Sequence, residues 1–344
     1  TTQDNIHEAD ETTTLTIGGS TGTGTITNDD AVPTLSVGDD TQVEGTNLVH
    51  TVTLNNPSST AQSYAISLTG NTATAGTDFD DVLANAVFSG GVTYNAGTGQ
   101  ITVPAGVTSF TVGYATTQDN IHEADETTTL TIGGSTGTGT ITNDDAVPTI
   151  SVGNNTQVEG TNLVHTVTLS NPSSTAQSYA ISLTGNTATA GTDFDNNLAN
   201  AVFSNGVTYD AGTGQITVPA GVTSFTVGYT TTQDNIHEAD ETTTLTIGGS
   251  TGTGTITNDD AVPTLSVGDD TQVEGTNLVH TVTLNNPSST AQSYAISLTG
   301  NTATAGTDFD DVLANAVFSG GVTYNAGTGQ ITVPAGVTSF TVGY

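Results

Sequence analysis

The chain has 344 residues, with 34 Asp and Glu, no Lys or Arg, and a formal net charge of -34. Phosphate binding depends on Lys and Arg, so this composition argues against nucleic acid as a partner and against an anionic membrane surface. The sequence has no Cys and no long apolar stretch, so disulfides, thiol chemistry and membrane insertion are not expected.

The sequence repeats with a period of 115 residues, because the segment TTQDNIHEADE starts at Thr1, Thr116 and Thr231. This period is too long for one turn of a solenoid and suits one β-sandwich domain. We therefore predict four parts. They are the C-terminal strands of a preceding repeat at 1–30, complete repeats at 31–145 and 146–260, and the N-terminal part of a further repeat at 261–344.

Alternating apolar and polar residues predict the strands of the first complete repeat. These runs are rich in Thr, Val, Ile and Tyr, which favour strands, and none has a helical period. In chain order they lie at 48–54, 64–68, 92–94, 100–103, 110–114, 130–132 and around 141. About seven short strands per repeat predict an all-β fold of tandem immunoglobulin-like Greek-key β-sandwiches.

Several smaller signals have ordinary structural interpretations. The glycine-rich run 18–24 predicts a turn between two strands. His7, with its equivalents in the later repeats, is expected to be an exposed loop residue, and His50, with its equivalents, is expected at the rim of the core. Pro33 suits a short stiff link between repeats. No nucleophile, base and acid form a recognisable set, so an enzyme is not predicted.

One repeat carries VEG, TATAGTDF, DNIHEADE and ITNDD, in this order. The combination resembles the Calx-β domain, the calcium-binding sandwich of sodium–calcium exchangers and of many large bacterial surface proteins. The resemblance covers essentially the whole period and implies Ca²⁺ ions bound at one end of each sandwich. Elementary chemistry agrees, because carboxylates without basic partners need a cation, and Ca²⁺ takes about six to eight oxygen ligands.

The resemblance implies that the ligands come from all four motifs. In the first complete repeat they are Glu44, Asp78, Asp119, Ile121 (through its carbonyl), Glu123, Glu126, Asp144 and Asp145. In the second they are Glu159, Asp193, Asp234, Ile236, Glu238, Glu241, Asp259 and Asp260. Gln118 stands where the family often has another acid, and Asn143 begins the terminal acidic triplet, which implies fewer and weaker sites. The alternative is that the acids only solvate loop ends and discourage edge pairing.

These observations predict a structural, calcium-stiffened extension segment of an extracellular, secreted bacterial adhesin or matrix fibre. The expected partners are neighbouring repeats or identical chains in a filament, and a cell-surface or matrix target reached through other domains. Calcium would act near the junctions between repeats, where the terminal Asp pairs lie.

Two alternatives stay open. The chain begins within one repeat and ends within another, which fits a window from a longer polypeptide or subunits that complete each other head to tail by strand donation. The second alternative is a carbohydrate- or protein-binding module. An exposed cluster formed by Tyr64, Tyr94 or Tyr114 would favour it.

Overall fold

The computed structural model describes residues 1–344, and β-strands are its only long regular elements. The structure contains no helix that could span a membrane. The chain divides into two compact units, one of residues 1–148 with 171–175 and one of residues 149–170 with 176–344. These units do not follow the period of the sequence, so the repeat boundaries given above stay a prediction.

The first unit begins with a hairpin, β1 (Glu11–Ile17) and β2 (Ser20–Ile26), whose strands pair only with each other. Ten further strands follow. They are β3 (Leu35–Val37), β4 (Asp40–Val43), β5 (Leu48–Leu54), β6 (Gln62–Gly70), β7 (Val87–Phe88), β8 (Thr93–Asn95), β9 (Gln100–Val103), β10 (Ser109–Tyr114), β11 (Glu126–Ile132) and β12 (Ser135–Thr142). The seven predicted runs correspond to β5, β6, β8, β9, β10, β11 and β12, whereas the short strands β3, β4 and β7 were not predicted.

These ten strands form a sandwich of two sheets. One sheet has the order β3-β5-β10-β7 and the other β4-β12-β11-β6-β9-β8. All pairings are antiparallel except β4 with β12, which are parallel. The core lies between the sheets, because each long strand turns its apolar residues inward, as the alternating burial of β5 shows. The all-β sandwich prediction is thus confirmed.

The second unit contains the remaining strands. They are β13 (Ile150–Val152), β14 (Asn155–Val158), β15 (Leu163–Leu169), β16 (Gln177–Gly185), β17 (Val202–Phe203), β18 (Thr208–Asp210), β19 (Gln215–Val218), β20 (Ser224–Tyr229), β21 (Glu241–Ile247), β22 (Ser250–Thr257), β23 (Leu265–Val267), β24 (Val279–Leu284), β25 (Gln292–Ala295), β26 (Val317–Phe318), β27 (Thr323–Asn325), β28 (Gln330–Val333) and β29 (Ser339–Gly343). Strands β13–β22 repeat the two-sheet order of the first sandwich. Strands β23–β29 form a four-stranded and a three-stranded sheet.

The glycine-rich run corrects the sequence analysis. Only Gly18 and Gly19 make the turn, with φ of 58° and 86°, and the residues from Ser20 onward belong to β2. The reason is visible in the equivalent strand β12, where a Cβ on Gly139 would lie 2.5 Å from the Tyr114 hydroxyl. The glycines therefore face inward and let the opposite sheet approach closely.

His50 is a second correction, because it lies inside the core and is fully buried. Its Nδ1 is 2.8 Å from the carbonyl of Gly38, and its Nε2 is 3.0 Å from the Tyr114 hydroxyl. That hydroxyl in turn lies 2.6 Å from Oγ1 of Thr128. Burial is tolerated because every polar atom of this chain of groups has a partner.

Candidate metal centre

A first cluster of carboxylates lies at one end of the first sandwich. Glu44, Asp119 and Asp145 place one oxygen each within 4.8 Å of one another. Glu44 directly follows β4 and is held by its backbone N–H, which donates to the Thr142 carbonyl at 3.1 Å. Its side chain is only 8% exposed. The parallel pairing of β4 with β12 thus brings the VEG motif against the terminal acidic motif.

A second cluster lies beside the first. Asp78, Glu123 and Glu126 also place their oxygens within 4.8 Å of one another. Asp78 reaches the site because its carbonyl accepts the N–H of Thr117 at 2.9 Å, which ties the TATAGTDF loop to the loop after β10. Five of these six acids line one shared cleft of the first unit, and Asp145 is the exception.

The cleft raises the pKa of its glutamates. Partial burial, followed by the hydrogen bond and charge of Asp78, raises the pKa of Glu126 to about 8. Burial and the charges of Asp78 and Asp119 raise the pKa of Glu123 as well. Burial likewise raises the pKa of Glu44. These directions mean that the negative charges are poorly compensated by the protein itself.

The geometry fits a bound Ca²⁺ ion. Ca²⁺ lies about 2.4 Å from its oxygen ligands, so two ligands of one ion are up to about 4.8 Å apart. One buried carboxylate oxygen, Oδ2 of Asp145, has no hydrogen-bond partner. No Lys or Arg exists in the chain to neutralise it. A hard cation would satisfy this oxygen and cancel the repulsion within each cluster.

The second sandwich also has two clusters, but one member differs, because Asp259, the equivalent of Asp144, takes the place that Asp119 has in the first sandwich. Its clusters are formed by Glu159, Asp259 and Asp260, and by Asp193, Glu238 and Glu241. Oδ2 of Asp260 is again buried without a partner. The pKa of Glu241 is raised to about 8 by burial and by Asp193. Two clusters therefore occur in each complete sandwich.

Four residues implied by the family resemblance lie outside the clusters. Asp144 is exposed, and its side chain accepts a hydrogen bond from the Gln118 amide at 3.1 Å. Asp234 lines the cleft of its sandwich, and its Oδ1 accepts the Ile236 N–H at 2.7 Å. Ile121 makes the same contact with Asp119. All the implied residues stay predictions as ligands, and Asp144, Asp234, Ile121 and Ile236 in addition lie in neither cluster of their sandwich.

Asn143 has a positioning role. Its side-chain oxygen accepts the N–H of Glu123 at 3.0 Å, and its amide donates to the Asp145 carbonyl at 2.8 Å. The amide thus joins the backbones of two cluster residues. An ionised acidic side chain could accept the first of these hydrogen bonds but could not donate the second.

The histidine of DNIHEADE is the main feature that sequence analysis missed. In the first unit, the His122 N–H donates to the Pro172 carbonyl at 3.0 Å, and its carbonyl accepts the Ser174 N–H at 3.0 Å. His7 makes the same bridge to Pro57 and Ser59, and His237 makes it to Pro287 and Ser289 in the second unit. The loop that carries cluster residues therefore also carries a joint to the NPSS loop that follows.

The tyrosines do not form an exposed cluster. Tyr114 is buried, and Tyr64 is partly buried with its hydroxyl donating to the Pro33 carbonyl at 3.0 Å. Tyr94 is partly buried and stacks on Phe88. The surface feature that would favour a sugar-binding module is thus missing at these positions.

Comparison with known protein families supports the resemblance found in the sequence. The model of the Calx-beta domain family matches residues 28–155 and 201–271, more than half of the chain. No curated protein sequence matches significantly.

Solved structures give weaker likenesses. The crystal structure of CBD12 from CALX1.2 is 14% identical, covers 62% of this chain and 79% of its own, and has a TM-score of 0.27. The adhesin InvE of Yersinia pseudotuberculosis is 14% identical, covers 72% of this chain and 66% of its own, with a TM-score of 0.28. Together, the family model, the order of the four motifs and the sandwiches that present them show that this chain belongs to the Calx-β domain family.

Proposed function

We propose that this chain is a calcium-stiffened structural segment of an extracellular bacterial adhesin or matrix fibre. The observation that carries the proposal is the pair of carboxylate clusters in each complete sandwich of a chain without basic side chains. Family membership supports the same metal, and no set of groups for nucleophilic catalysis stands out. The role is therefore mechanical, and the partners are neighbouring repeats or identical chains.

Stiffening follows from where the clusters lie. Asp119 and Glu123 flank His122 in one loop, and the His122 backbone forms the joint to Pro172 and Ser174. Without a cation, repulsion among the acids loosens this loop and the joint with it. Bound Ca²⁺ fixes the loop, so the joint is held in one geometry.

Calcium binding is tested first by titration calorimetry on the 344-residue chain. We expect millimolar-range sites, as in other extracellular calcium modules, with Kd of about 10⁻⁴–10⁻³ M. Glu44→Gln should remove heat of binding from one cluster. Asp81→Asn is the matched control, because it removes the same charge outside the clusters and Asn196 occupies that place in the second repeat. Equal binding by both variants would contradict the assignment.

Stiffening is tested by hydrogen exchange at the joint. The Ser174 N–H is the reporter, because it donates to the His122 carbonyl. Its peptide is distinguishable by mass, since Ser170 replaces the Asn55 of the first repeat. Calcium should slow exchange of this amide, and Glu44→Gln should weaken the effect while Asp81→Asn keeps it. Exchange that is unaffected by calcium would refute the stiffening role even if calcium binds.

A further inference from the structure

Each complete sandwich contains three hydrogen-bonded polar side chains in its core, called the buried chain, that the carboxylate clusters do not include. In the first sandwich the Tyr114 hydroxyl lies between His50 and Thr128, at 3.0 Å from Nε2 and 2.6 Å from Oγ1. The buried chain ends on two backbone carbonyls. That of Gly38 lies 2.8 Å from Nδ1 of His50, and that of Gly139 lies 3.4 Å from Oγ1 of Thr128. Both ends can therefore only accept hydrogen bonds.

The Gly38 carbonyl fixes the neutral tautomer of His50. A carbonyl only accepts, so Nδ1 of the imidazole must carry the hydrogen. Nε2 then has a lone pair and accepts the Tyr114 hydroxyl. The tyrosine oxygen in turn accepts the Thr128 hydroxyl. In the neutral state the hydrogen bonds of the buried chain therefore run from Thr128 towards His50.

The same contacts accommodate a protonated imidazole when every hydrogen bond reverses. Nε2–H of His50 then donates to Tyr114, whose hydroxyl donates to Thr128. The Thr128 hydroxyl completes the reversed chain by donating to the Gly139 carbonyl. Each donor still has an acceptor, so a proton enters the core without leaving a polar group unpaired. The remaining cost is that of burying the charge itself.

The second sandwich has the same buried chain. Tyr229 lies 3.0 Å from Nε2 of His165 and 2.6 Å from Oγ1 of Thr243. The two ends again meet carbonyls, those of Gly153 at 2.7 Å and Gly254 at 3.4 Å. The two sandwiches can therefore be compared as a natural matched pair.

The charged neighbour of the buried chain differs between them. Strands β3, β4, β10 and β12 pack against β5, which carries His50, and Asp40 is the only charged residue on these four strands. Burial and, to a smaller extent, the charge of Asp40 raise the pKa of Tyr114 to about 12, so this charge acts on the buried chain. Asn155 replaces Asp40 in the second sandwich.

The replacement removes the charge and keeps the local contact. Asp40 accepts the N–H of Val49 at 2.7 Å, and Asn155 accepts the equivalent N–H of Val164 at 3.2 Å. Asp39 also becomes an asparagine, but its carboxylate accepts the N–H of Thr138, an exposed residue of β12. Asp40 is therefore the acid that separates the two buried chains.

We propose that the buried chain is a pH-sensitive device, and that Asp40 lets the first sandwich take up a proton more readily than the second. Burial lowers the pKa of His165 from 6.5, against the hydrogen bond to Gly153. Its contribution to stability is therefore present above about pH 6.5 and is lost as the pH falls through the lowered pKa. Without an acid beside its buried chain, the second sandwich loses more stability in acid than the first. This device is independent of calcium binding.

NMR of the imidazole nitrogens tests the proposal on the full chain with isotope-labelled histidine, in chelator so that calcium plays no part. Both buried rings should show the Nδ1–H tautomer when neutral. His165 should take up its proton at a pH lower than that of His50 by about 0.5 or more. Asp40→Asn should move His50 to the pH of His165, and Asn155→Asp should move His165 to that of His50. Each substitution moves one ring, so the pair also assigns the two signals.

Asp39→Asn is the matched control, because it removes the same charge from the next residue along the chain. Its buried rings should titrate as in the wild type. Thr128→Val tests the reversal, since valine has nearly the shape of threonine but cannot accept from Tyr114. In this variant His50 should stay neutral to a lower pH. Asp40→Asn and Asn155→Asp each introduce the residue that the other sandwich already has, so both variants should fold.

Hydrogen exchange at about pH 5.5, corrected for intrinsic rates, measures the effect on stability. Amides of β15 should exchange faster than those of β5, and Asn155→Asp should remove the difference. The two peptides are distinguishable because Ser170 replaces Asn55 after the strand.

Several outcomes would overturn the proposal. Buried rings that titrate together in the wild type, or an Asp39→Asn effect as large as that of Asp40→Asn, would remove the role of Asp40. A neutral Nε2–H tautomer, or unchanged proton uptake in Thr128→Val, would refute the reversing hydrogen bonds. Equal exchange of β5 and β15 at about pH 5.5 would refute the difference in stability. None of these results bears on calcium binding, so the proposed function would stand.

Discussion

The carboxyl pair of Glu126 and Asp78 gives the metal-free protein an unusual dependence on pH. Burial and the Asp78 hydrogen bond raise the pKa of Glu126 from 4.5 to about 8, and Glu241 beside Asp193 behaves alike. The folded chain therefore keeps protons that the unfolded chain loses. Their contribution to stability is fully present below pH 4.5 and is lost as the pH rises to about 8.

Solvent screening limits how strongly the stability depends on pH. One pKa unit corresponds to at most about 1.4 kcal/mol, but both glutamates are only partly buried and solvent screens their interactions. We therefore expect the free energy of unfolding to fall by about 1 kcal/mol per repeat between about pH 5.5 and 8.5. This corresponds to about 4 °C in melting temperature for a domain of this size.

The variant Glu126→Gln/Glu241→Gln isolates the contribution. A neutral amide replaces the protonated acid, so in chelator the variant should be more stable than wild type at pH 8 by about 1 kcal/mol per repeat. It should also lose much of its stabilisation by calcium. Burial lowers the pKa of His165, so this histidine changes the stability with pH in the opposite direction. The wild-type chain and the glutamine variant both contain His165, so its contribution cancels when the two are compared.

Urea unfolding in chelator at four pH values measures the difference between the two chains. Asp81→Asn is the control for loss of charge alone, and its pH profile should parallel that of wild type. The reasoning is refuted if the glutamine variant has the same pH slope as wild type, or if it is less stable than wild type in chelator at pH 8.

Three further predictions concern the sandwich itself. Tyr114→Phe leaves His50 and Thr128 without a shared partner and should lower the free energy of unfolding in urea by about 1–3 kcal/mol. Calcium affinity should not change. A loss below about 0.5 kcal/mol would contradict the buried network. Gly139→Ala places a Cβ against the opposite sheet and should cost about 1–3 kcal/mol, so a neutral result would refute the close approach. Asp39→Asn should be neutral within about 0.5 kcal/mol, because Asn154 accepts the same backbone N–H in the second repeat; a larger loss would show that the charge matters.

Sequence periodicity predicted seven strands of the first sandwich and the sandwich itself, but it missed the short strands β3, β4 and β7. The alternation of 48–54 sets the inward face of β5, because side chains of a strand point to opposite sides in turn. It could not place His50 in the core, since the partner that makes burial tolerable, Tyr114, is 64 residues away. The glycines of β2 and β12 were likewise ambiguous, because only the opposite sheet explains why a side chain is excluded there.

The sequence predicted that the acids meet, but not how they are arranged, and their roles as ligands stay predictions. The acids of the four motifs do meet, but the split into two clusters depends on loop contacts such as that of Asp78 with Thr117. The joint at His122 could not be predicted from the sequence, because that bridge uses backbone N–H and carbonyl groups that do not depend on the side chain.

Thermal unfolding with calcium or with a chelator tests the central claim most directly. With Kd of about 10⁻⁴–10⁻³ M, each ion should add about 1.4–2.7 kcal/mol at about 10 mM calcium. We predict a rise in melting temperature that neither magnesium nor sodium chloride of equal ionic strength reproduces. An equal rise in sodium chloride would mean that the acids only solvate the surface, and would contradict the calcium sites.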